Sequence, residues 1–331
     1  MPARYDVIAL GNAIMDVIAQ VDDDFLTRHD IHKARMNLID EARAHRLYEA
    51  LPPARVETSG GSAGNTIAGL KSLGGACGFM GKVADDRIGR AYVDDMRAIG
   101  VDFYGSPLNG GPATARSIIA VTPDGERSMN TFLGASTEFA AGDVDAAAVS
   151  AAGWLYLEGY LFDKPAAKTA FVHASEIARA AGARVAITLS DVFCVERHRE
   201  SFIHLVRSHC DLVFANEHEL LALYKTDDFD AAVSQIRNDS QTAAITRSSK
   251  GSVIVSGTDT WLAPVVPSPV VDATGAGDQY AAGLLYGVTH GMPLPEAARL
   301  GNLCAGEVIS HIGPRPASDL RARALGAGFV L

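Results

Sequence analysis

Along most of the chain, short apolar runs alternate with longer stretches whose apolar residues recur at helical spacing. The runs are residues 5–10, 78–81, 153–157, 185–189, 212–215, 243–246 and 252–256. Between many of them lie alanine-rich amphipathic stretches, at 64–73, 165–181 and 229–238. Short β-prone runs alternating with helices predict parallel β-α units and a sheet covered on both faces. After residue 270 the pattern turns mostly helical, over 275–290, 295–310 and 318–325. The predicted class is α/β, a three-layer α/β/α core around a mostly parallel sheet.

One region breaks that rhythm. Residues 113–122 and 127–133 flank Pro123-Asp124-Gly125-Glu126, a turn-forming tetrapeptide between two β-prone runs, so a hairpin is expected there. Residues 14–21 form a further β-prone run with no helix behind them. With 34–40, these pieces predict a small β lid inserted into one domain spanning 1–331. No internal repeat and no Pro/Ser-rich linker argues for a second domain.

Composition narrows the class. Apolar residues make up 48% and charged residues 21%, ordinary for a globular chain, and 29 Lys and Arg against 39 Asp and Glu leave a net charge of -10. That acidic surplus argues against nucleic acid or an anionic membrane as partner, because both need clustered cations. No apolar run is long enough to span a bilayer, and the run at 7–10 is too short for a signal-peptide core. Cys77, Cys194, Cys210 and Cys304 are scattered without zinc-type spacing, which predicts reduced thiols and a cytoplasmic protein. Asp22-Asp23-Asp24 reads as a solvated turn, lacking further ligands at calcium-loop spacing.

The sharpest chemical signal is Val271-Asp272-Ala273-Thr274-Gly275-Ala276-Gly277-Asp278, followed directly by a helical run. Small residues with free N–H groups at a helix start make an anion site suited to phosphate. An acid beside that anion makes sense if it orients and deprotonates an attacking hydroxyl. The helix N-terminus should keep Asp278 ionised and weaken it as a base, which phosphoryl transfer tolerates. Ser59-Gly60-Gly61-Ser62-Ala63-Gly64-Asn65 likewise places glycines and small polar groups at a helix start, and Asn65 could both donate to and accept from a polyol. Asn12 and Asp16 follow the first strand, at the ligand-binding edge of an α/β sheet. Each of these two motifs, taken alone, could equally be turn chemistry. No P-loop is present, and Tyr280 replaces the third glycine of a dinucleotide fingerprint.

In this order and spacing, the three motifs resemble the ribokinase-like (PfkB-type) carbohydrate and nucleoside kinases over essentially the whole chain. Further matching pieces are residues 81–89, Asn216-Glu217-His218-Glu219, Thr246, and Lys250-Gly251. The resemblance implies Asp278 as catalytic base, with the amides of Gly275, Ala276 and Gly277 as the anion hole. It implies that Asn216 and Glu219 help position hydrated Mg²⁺ and the ATP phosphates. Thr246, Gly251, Thr274 and Asn302 would lie around the nucleotide. Asn12, Asp16, Gly61, Ser62 and Asn65 would hold the acceptor's hydroxyls. Some relatives also have a monovalent-cation (K⁺) loop near Asp272. Ala273 and Ala84 depart from the usual pattern, which touches local backbone geometry and that cation loop.

The overall impression is of the adenosine kinase-like bacterial members, acting on the 5′-hydroxyl of a ribose-containing acceptor. Met129, Thr131 and Leu133 alternate so as to share one face of a strand. In that branch such a face, with aromatics matching Tyr160 and Phe193, surrounds the purine; the same side chains could instead pack the core. Arg116 and Arg127 are basic groups on the expected lid. The rival expectations are a sugar kinase of the same fold, of ribose, fructose or 2-keto-3-deoxygluconate type, and a non-catalytic nucleoside-binding sensor. Relatives are monomers or homodimers, and the sequence allows either.

Overall fold

The computed structural model describes residues 3–331. Among the described residues fourteen strands run in chain order: β1 (Tyr5–Leu10), β2 (Ile14–Gln20), β3 (Met36–Leu38), β4 (Arg55–Ser59), β5 (Cys77–Met80), β6 (Asp102–Tyr104), β7 (Ala115–Val121), β8 (Arg127–Phe132), β9 (Ala152–Glu158), β10 (Arg184–Thr188), β11 (Leu212–Asn216), β12 (Thr242–Thr246), β13 (Ser252–Ser256) and β14 (Asp259–Ala263). They form two sheets. The larger is nine-stranded, in the order β14-β13-β12-β11-β10-β9-β1-β5-β6. Seven of its strands, from β12 to β6 in that order, are parallel, and β13 and β14 close one side antiparallel.

Both faces of this sheet are buried. Val7 and Ala9 of β1 enter one apolar cluster, with Ile67, Leu70, Leu284 and Leu285 from the helices Ser62–Ser72 and Ala276–Thr289. Ile8 and Leu10 point the other way, into a cluster with Phe171 and Phe202 from the helices Pro165–Ala180 and Val192–Ser208. The alternation along one strand thus builds the three layers. The chain adds β5 and β6 on one side of β1 and β9 to β12 on the other. The loops leaving β1 and β9 therefore part company, and a crevice opens at the carboxyl ends of the strands there.

The smaller sheet is five-stranded, in the order β3-β8-β7-β2-β4, and contains the expected hairpin as β7 and β8. One face packs Met15, Val17, Ile118 and Ala120 with Phe25 and Leu47 from the helices Asp23–Arg28 and Glu41–Ala50. The other aligns Thr58, Asp16, Ser117, Thr131 and Leu38 in one row across all five strands. The sequence reading left out β4, β6 and β14. All three are short edge strands in which polar residues interrupt the apolar run.

Candidate functional site

The residues singled out at the carboxyl edge converge from separate elements. The Ala276–Thr289 helix opens on Gly275, whose φ of 79° is left-handed. A Cβ at that position would lie 2.6 Å from the Pro314 backbone, so glycine is required both conformationally and sterically. The preceding loop is fixed by the Asp272 carboxylate. It accepts from Thr274 N (3.0 Å), Thr274 Oγ1 (2.6 Å) and Gly313 N (2.9 Å), and it is ion-paired to Arg127 at the start of β8. Burial raises the Asp272 pKa, but these hydrogen bonds and the cation outweigh it and hold the carboxyl below its usual range. Of the first-turn N–H groups expected to bind an anion, that of Ala276 donates to the Ala273 carbonyl at 3.3 Å within this loop. A Cβ on Gly277 would meet nothing within 4 Å, so that side is open to a bulky anion.

Asp278 stands in the first turn of this helix. Its Oδ1 accepts from Ser62 Oγ at 2.6 Å and its Oδ2 from Asn65 Nδ2 at 3.1 Å. The anion loop and the acceptor motif, far apart in sequence, therefore meet at one carboxylate. Its basicity differs from the sequence expectation. Burial pushes the pKa up to about 6, against the two hydrogen bonds that lower it. Desolvation outweighs the helix dipole here, and the group is a better base than a helix-start acid would be while still ionised at neutral pH.

Asn12 leaves the end of β1 and is held by a residue the sequence reading did not choose. Glu158, at the end of β9, is 1% exposed. Its Oε1 accepts from Asn12 Nδ2 (2.8 Å) and Asn12 N (3.3 Å), and its Oε2 from Ala63 N (2.8 Å). Burial raises its pKa to about 7. The available signal was its place, an acid ending an apolar strand, Trp154-Leu155-Tyr156-Leu157-Glu158, beside the strand that delivers Asn12. Asp16 lies against Gly60, where a Cβ would come within 2.4 Å of its carboxylate, and Gly61 (φ 85°) lies equally close to the Asn12 carbonyl. Burial lifts the Asp16 pKa to about 6, with Arg127 and Arg315 lowering it and Asp278 raising it. The Asn65 Oδ1 is buried and has no protein partner, an acceptor left for a ligand hydroxyl.

The residues assigned to a base separate into two groups. Thr131 lies in the Asp16 row of the smaller sheet, with its hydroxyl 2.8 Å from Ser117 Oγ, and Met129 shares its face half-buried; Leu133 lies beyond the end of β8, where the backbone turns helical, so the expected three-residue strand face ends at Thr131. Tyr160 is partly exposed in the turn Gly159–Asp163, with its backbone N–H donating to Ser190 Oγ at 3.2 Å. Phe193 is 73% exposed, which removes the core-packing alternative for it. It lines a cleft of about 530 Å³ together with Met36, Leu38, Asp191, Glu196 and Arg197. Arg116 is not on this face. It pairs in register with Met15 and Phe132, opposite to Asp16, and its guanidinium lies over the Tyr48 ring.

Of the residues expected around the nucleotide, Asn216 and Thr246 end the adjacent parallel strands β11 and β12. Asn216 caps the Glu217–Tyr224 helix in a reciprocal box. Glu219 N donates to Asn216 Oδ1 (2.8 Å), and the Glu219 carboxylate accepts from Asn216 N (2.9 Å) and Nδ2 (2.6 Å). Burial raises Glu219 to about 7. Thr246 ends β12, next to Asn216 in register. Gly251 (φ 83°) passes so close to the Ala263 carbonyl that a Cβ would sit 2.2 Å from it. The Asn302 amide donates to Ser252 Oγ, Ala263 O and Pro264 O at 2.9–3.2 Å, so it braces the wall behind the cleft. Thr274 is likewise engaged with Asp272. Among the described residues no His, Cys, Asp and Glu cluster could hold a metal by itself. A lone buried carboxylate at Glu219 fits Mg²⁺ that keeps its waters and takes its other ligands from phosphates.

Among the described residues, no helix is long and apolar enough to cross a membrane. The pfkB family carbohydrate kinase profile matches residues 32–320. The chain is similar to the crystal structure of adenosine kinase from Sinorhizobium meliloti, with 52% identity, a TM-score of 0.90, and coverage of 98% of this chain and 100% of that one. It is similar to the probable sugar kinase protein from Rhizobium etli CFN 42 at 48% identity and the same TM-score, over 98% and 99% of the two chains. It is also 27% identical, over 263 residues, to 5-dehydro-2-deoxygluconokinase of Geobacillus thermodenitrificans, covering 76% of this chain and 78% of that protein. The profile match over most of the chain, with a similar structure shared along nearly its full length, places this chain in the pfkB family, as a sugar or nucleoside kinase that phosphorylates an alcohol group.

Proposed function

We propose that this kinase transfers the γ-phosphoryl group of Mg·ATP to the 5′-hydroxyl of adenosine. The carrying observation is the row Asp16, Ser117, Thr131 and Leu38 across the smaller sheet. It runs from a carboxylate beside the reacting centre to the edge of the Phe193 cleft, three strand spacings or about 14 Å away. Polar groups at one end and an apolar slot with an aromatic wall at the other suit a ligand that is a sugar at one end and a flat base at the other. The adenosine kinase from S. meliloti, similar over the whole chain, supports the same acceptor.

Bound Mg·ATP supplies the phosphoryl group and neutralises its charge. Asp16, Asn12 and Asn65 hold the ribose hydroxyls, while Ser62 and Asn65 aim the Asp278 carboxylate. Asp278 accepts the proton of the attacking 5′-hydroxyl, whose oxygen forms the new bond to phosphorus as ADP departs. The N–H groups of Gly275 and Gly277 meet the equatorial phosphoryl oxygens, joined by that of Ala276 once it leaves the Ala273 carbonyl. Asn216 and Glu219 position the hydrated metal and phosphates, with Thr246, Gly251, Thr274 and Asn302 shaping the nucleotide wall. The smaller sheet serves as a lid that excludes water.

The test is ADP release measured against adenosine, other nucleosides, ribose, fructose and 2-keto-3-deoxygluconate. Saturation by adenosine at the lowest concentration is the expected result. A sugar kinase is the second reading, favoured by the similarity to 5-dehydro-2-deoxygluconokinase. Calorimetry separates the two: sub-millimolar binding of ribose or a keto-sugar without binding of adenosine overturns the nucleoside assignment.

A further inference from the structure

Behind the site runs the loop that links the helix Leu294–Val308 to the helix Leu320–Gly326. Three consecutive residues of it each hold a different wall. The Gly313 N–H donates to Asp272 Oδ2 at 2.9 Å, and so pins the anion loop. The Pro314 backbone packs where a Cβ of Gly275 would be, and its carbonyl accepts from Gln279 Nε2 at 3.0 Å. The same Gln279 nitrogen donates to Asn65 O at 2.9 Å, on the acceptor helix. Arg315 reaches the other side of the acceptor motif. Its Nη2 donates to Ser59 Oγ at 2.6 Å, and its Nη1 lies 3.3 Å from Asp95 Oδ2, which also accepts from Ser59 N at 2.8 Å. Ser59 leads directly into Gly60 and Gly61, the turn on which Asp16 and Asn12 rest.

We propose that Gly313-Pro314-Arg315 is a strut that sets the separation of the phosphoryl and acceptor subsites, with Gln279 and Arg315 as its positioning residues. Neither side chain touches a reacting atom. Gln279 is fully buried beside the proposed base, and its amide bridges the two elements whose spacing must match the reach of the transferred group. The fit is made for this side chain: a Cβ on Gly69 in the facing helix would lie 1.9 Å from Gln279 Oε1. Arg315 holds the acceptor turn from below and adds a positive charge near Asp16, as Arg127 does from the smaller sheet, while Asp278 adds a negative one. A displacement of about 1 Å between reacting groups can cost on the order of 100-fold in rate, so such a strut has kinetic consequences.

This inference rests on the phosphoryl-transfer reading of the site, and it is tested with Arg315→Met, Arg315→Lys and Gln279→Leu in the full chain. For Arg315→Met we expect the KM of the acceptor to rise at least tenfold, the KM of ATP to change less than twofold, and Arg315→Lys to restore part of the loss. For Gln279→Leu we expect kcat to fall at least tenfold. The double variant should lose less than the product of the two, because both act through one loop. Hydrogen exchange of residues 58–66 should accelerate in Arg315→Met whatever the acceptor is. A lowered Tm with both KM values and this exchange unchanged overturns the proposal, as does an equal rise in both KM values. If the wild-type protein uses a sugar, the same ratios are read with that sugar. If it phosphorylates no acceptor, the transfer reading fails and the exchange experiment alone decides the strut.

Discussion

The two sheets treat their faces differently. The nine-stranded sheet buries both along its middle, where the strands are nearly continuous apolar runs such as Val213-Phe214-Ala215. The five-stranded sheet buries one face fully and leaves the other open only toward its edges. Its other face carries Asp16, Ser117 and Thr131 in line, with Met36, Leu38 and Val56 about half exposed near its edges. A sheet that stabilises the fold has no free face to offer, whereas one that receives a ligand must leave apolar surface uncovered until the ligand arrives. The same division separates the acids. Those that serve structure (Glu57, Asp95 and Asp272) are held below their ordinary pKa by hydrogen bonds and cations that outweigh burial. Those gathered around the crevice (Asp16, Glu219 and Asp278, with Glu158 buried behind Asn12) are all raised by burial, to about 6 or 7.

That division can be broken most sharply at Asp278. Asp278→Asn should lower kcat by about 10³-fold or more, since it removes the proton acceptor while keeping the shape. Retained turnover within tenfold of wild type would refute the assignment. The same variant should be more stable than wild type at pH 8, by on the order of 1–3 kcal/mol, because it removes a charge that burial disfavours. A denaturant titration reads that difference. Second in size is Gly275→Ala, which places a Cβ against Pro314 at a positive φ. Activity should fall about 100-fold, with a stability loss of about 1–3 kcal/mol.

The pH dependence sharpens the comparison of the two acid sets. The crevice acids bind protons more tightly in the folded state, so from about pH 4 to pH 7 they make the protein less stable as pH rises. The structural acids act in the opposite direction and at lower pH, losing their contribution as the medium acidifies below about pH 4. Over the upper window kcat/KM should rise through an apparent pKa near 6 as Asp278 ionises. Stability and activity therefore move apart, which unfolding curves and initial rates at matched pH would reveal. The smallest effect is expected at Phe193. Phe193→Ala should raise the KM of adenosine about tenfold through lost stacking, leave kcat nearly unchanged and barely alter Tm, since the ring is already mostly in solvent. Equal losses for adenosine and ribose would place the ring outside the base slot.

What the sequence disclosed follows from how local each signal is. The inner strands of the large sheet announce themselves by their own residues, unlike its edge strands β6 and β14, and the Gly275–Asp278 element carries its meaning in four consecutive positions. Ser62 and Asn65 could be named from their motif, but their contact with Asp278 spans more than 200 positions. Gln279 and Arg315 had no local mark, and Glu158 only its place at the end of an apolar strand: each acts through partners brought in by the fold. The rise in Asp278 basicity was hidden for the same reason, since a helix start is visible in sequence and the depth of burial is not. Edge strand β4 was missed because Arg55-Val56-Glu57-Thr58-Ser59 is mostly polar, although it pairs fully with β2.

One contact inside the core reaches further than its position suggests. Gly283, midway along the helix that begins at Gly275, faces Gly301 of the next helix so closely that a Cβ on it would lie 2.8 Å from that backbone. The two backbones meet there with the Tyr280 ring packed beside Gly301, and Gly283 is five residues, about 7.5 Å along the axis, from Asp278. The crossing works as the fulcrum of a lever whose short arm ends at the base. A single methyl group added there, remote from any ligand, would swing the carboxylate relative to both substrates. Turnover in this enzyme could therefore be tuned, by selection or by design, from a glycine no substrate meets.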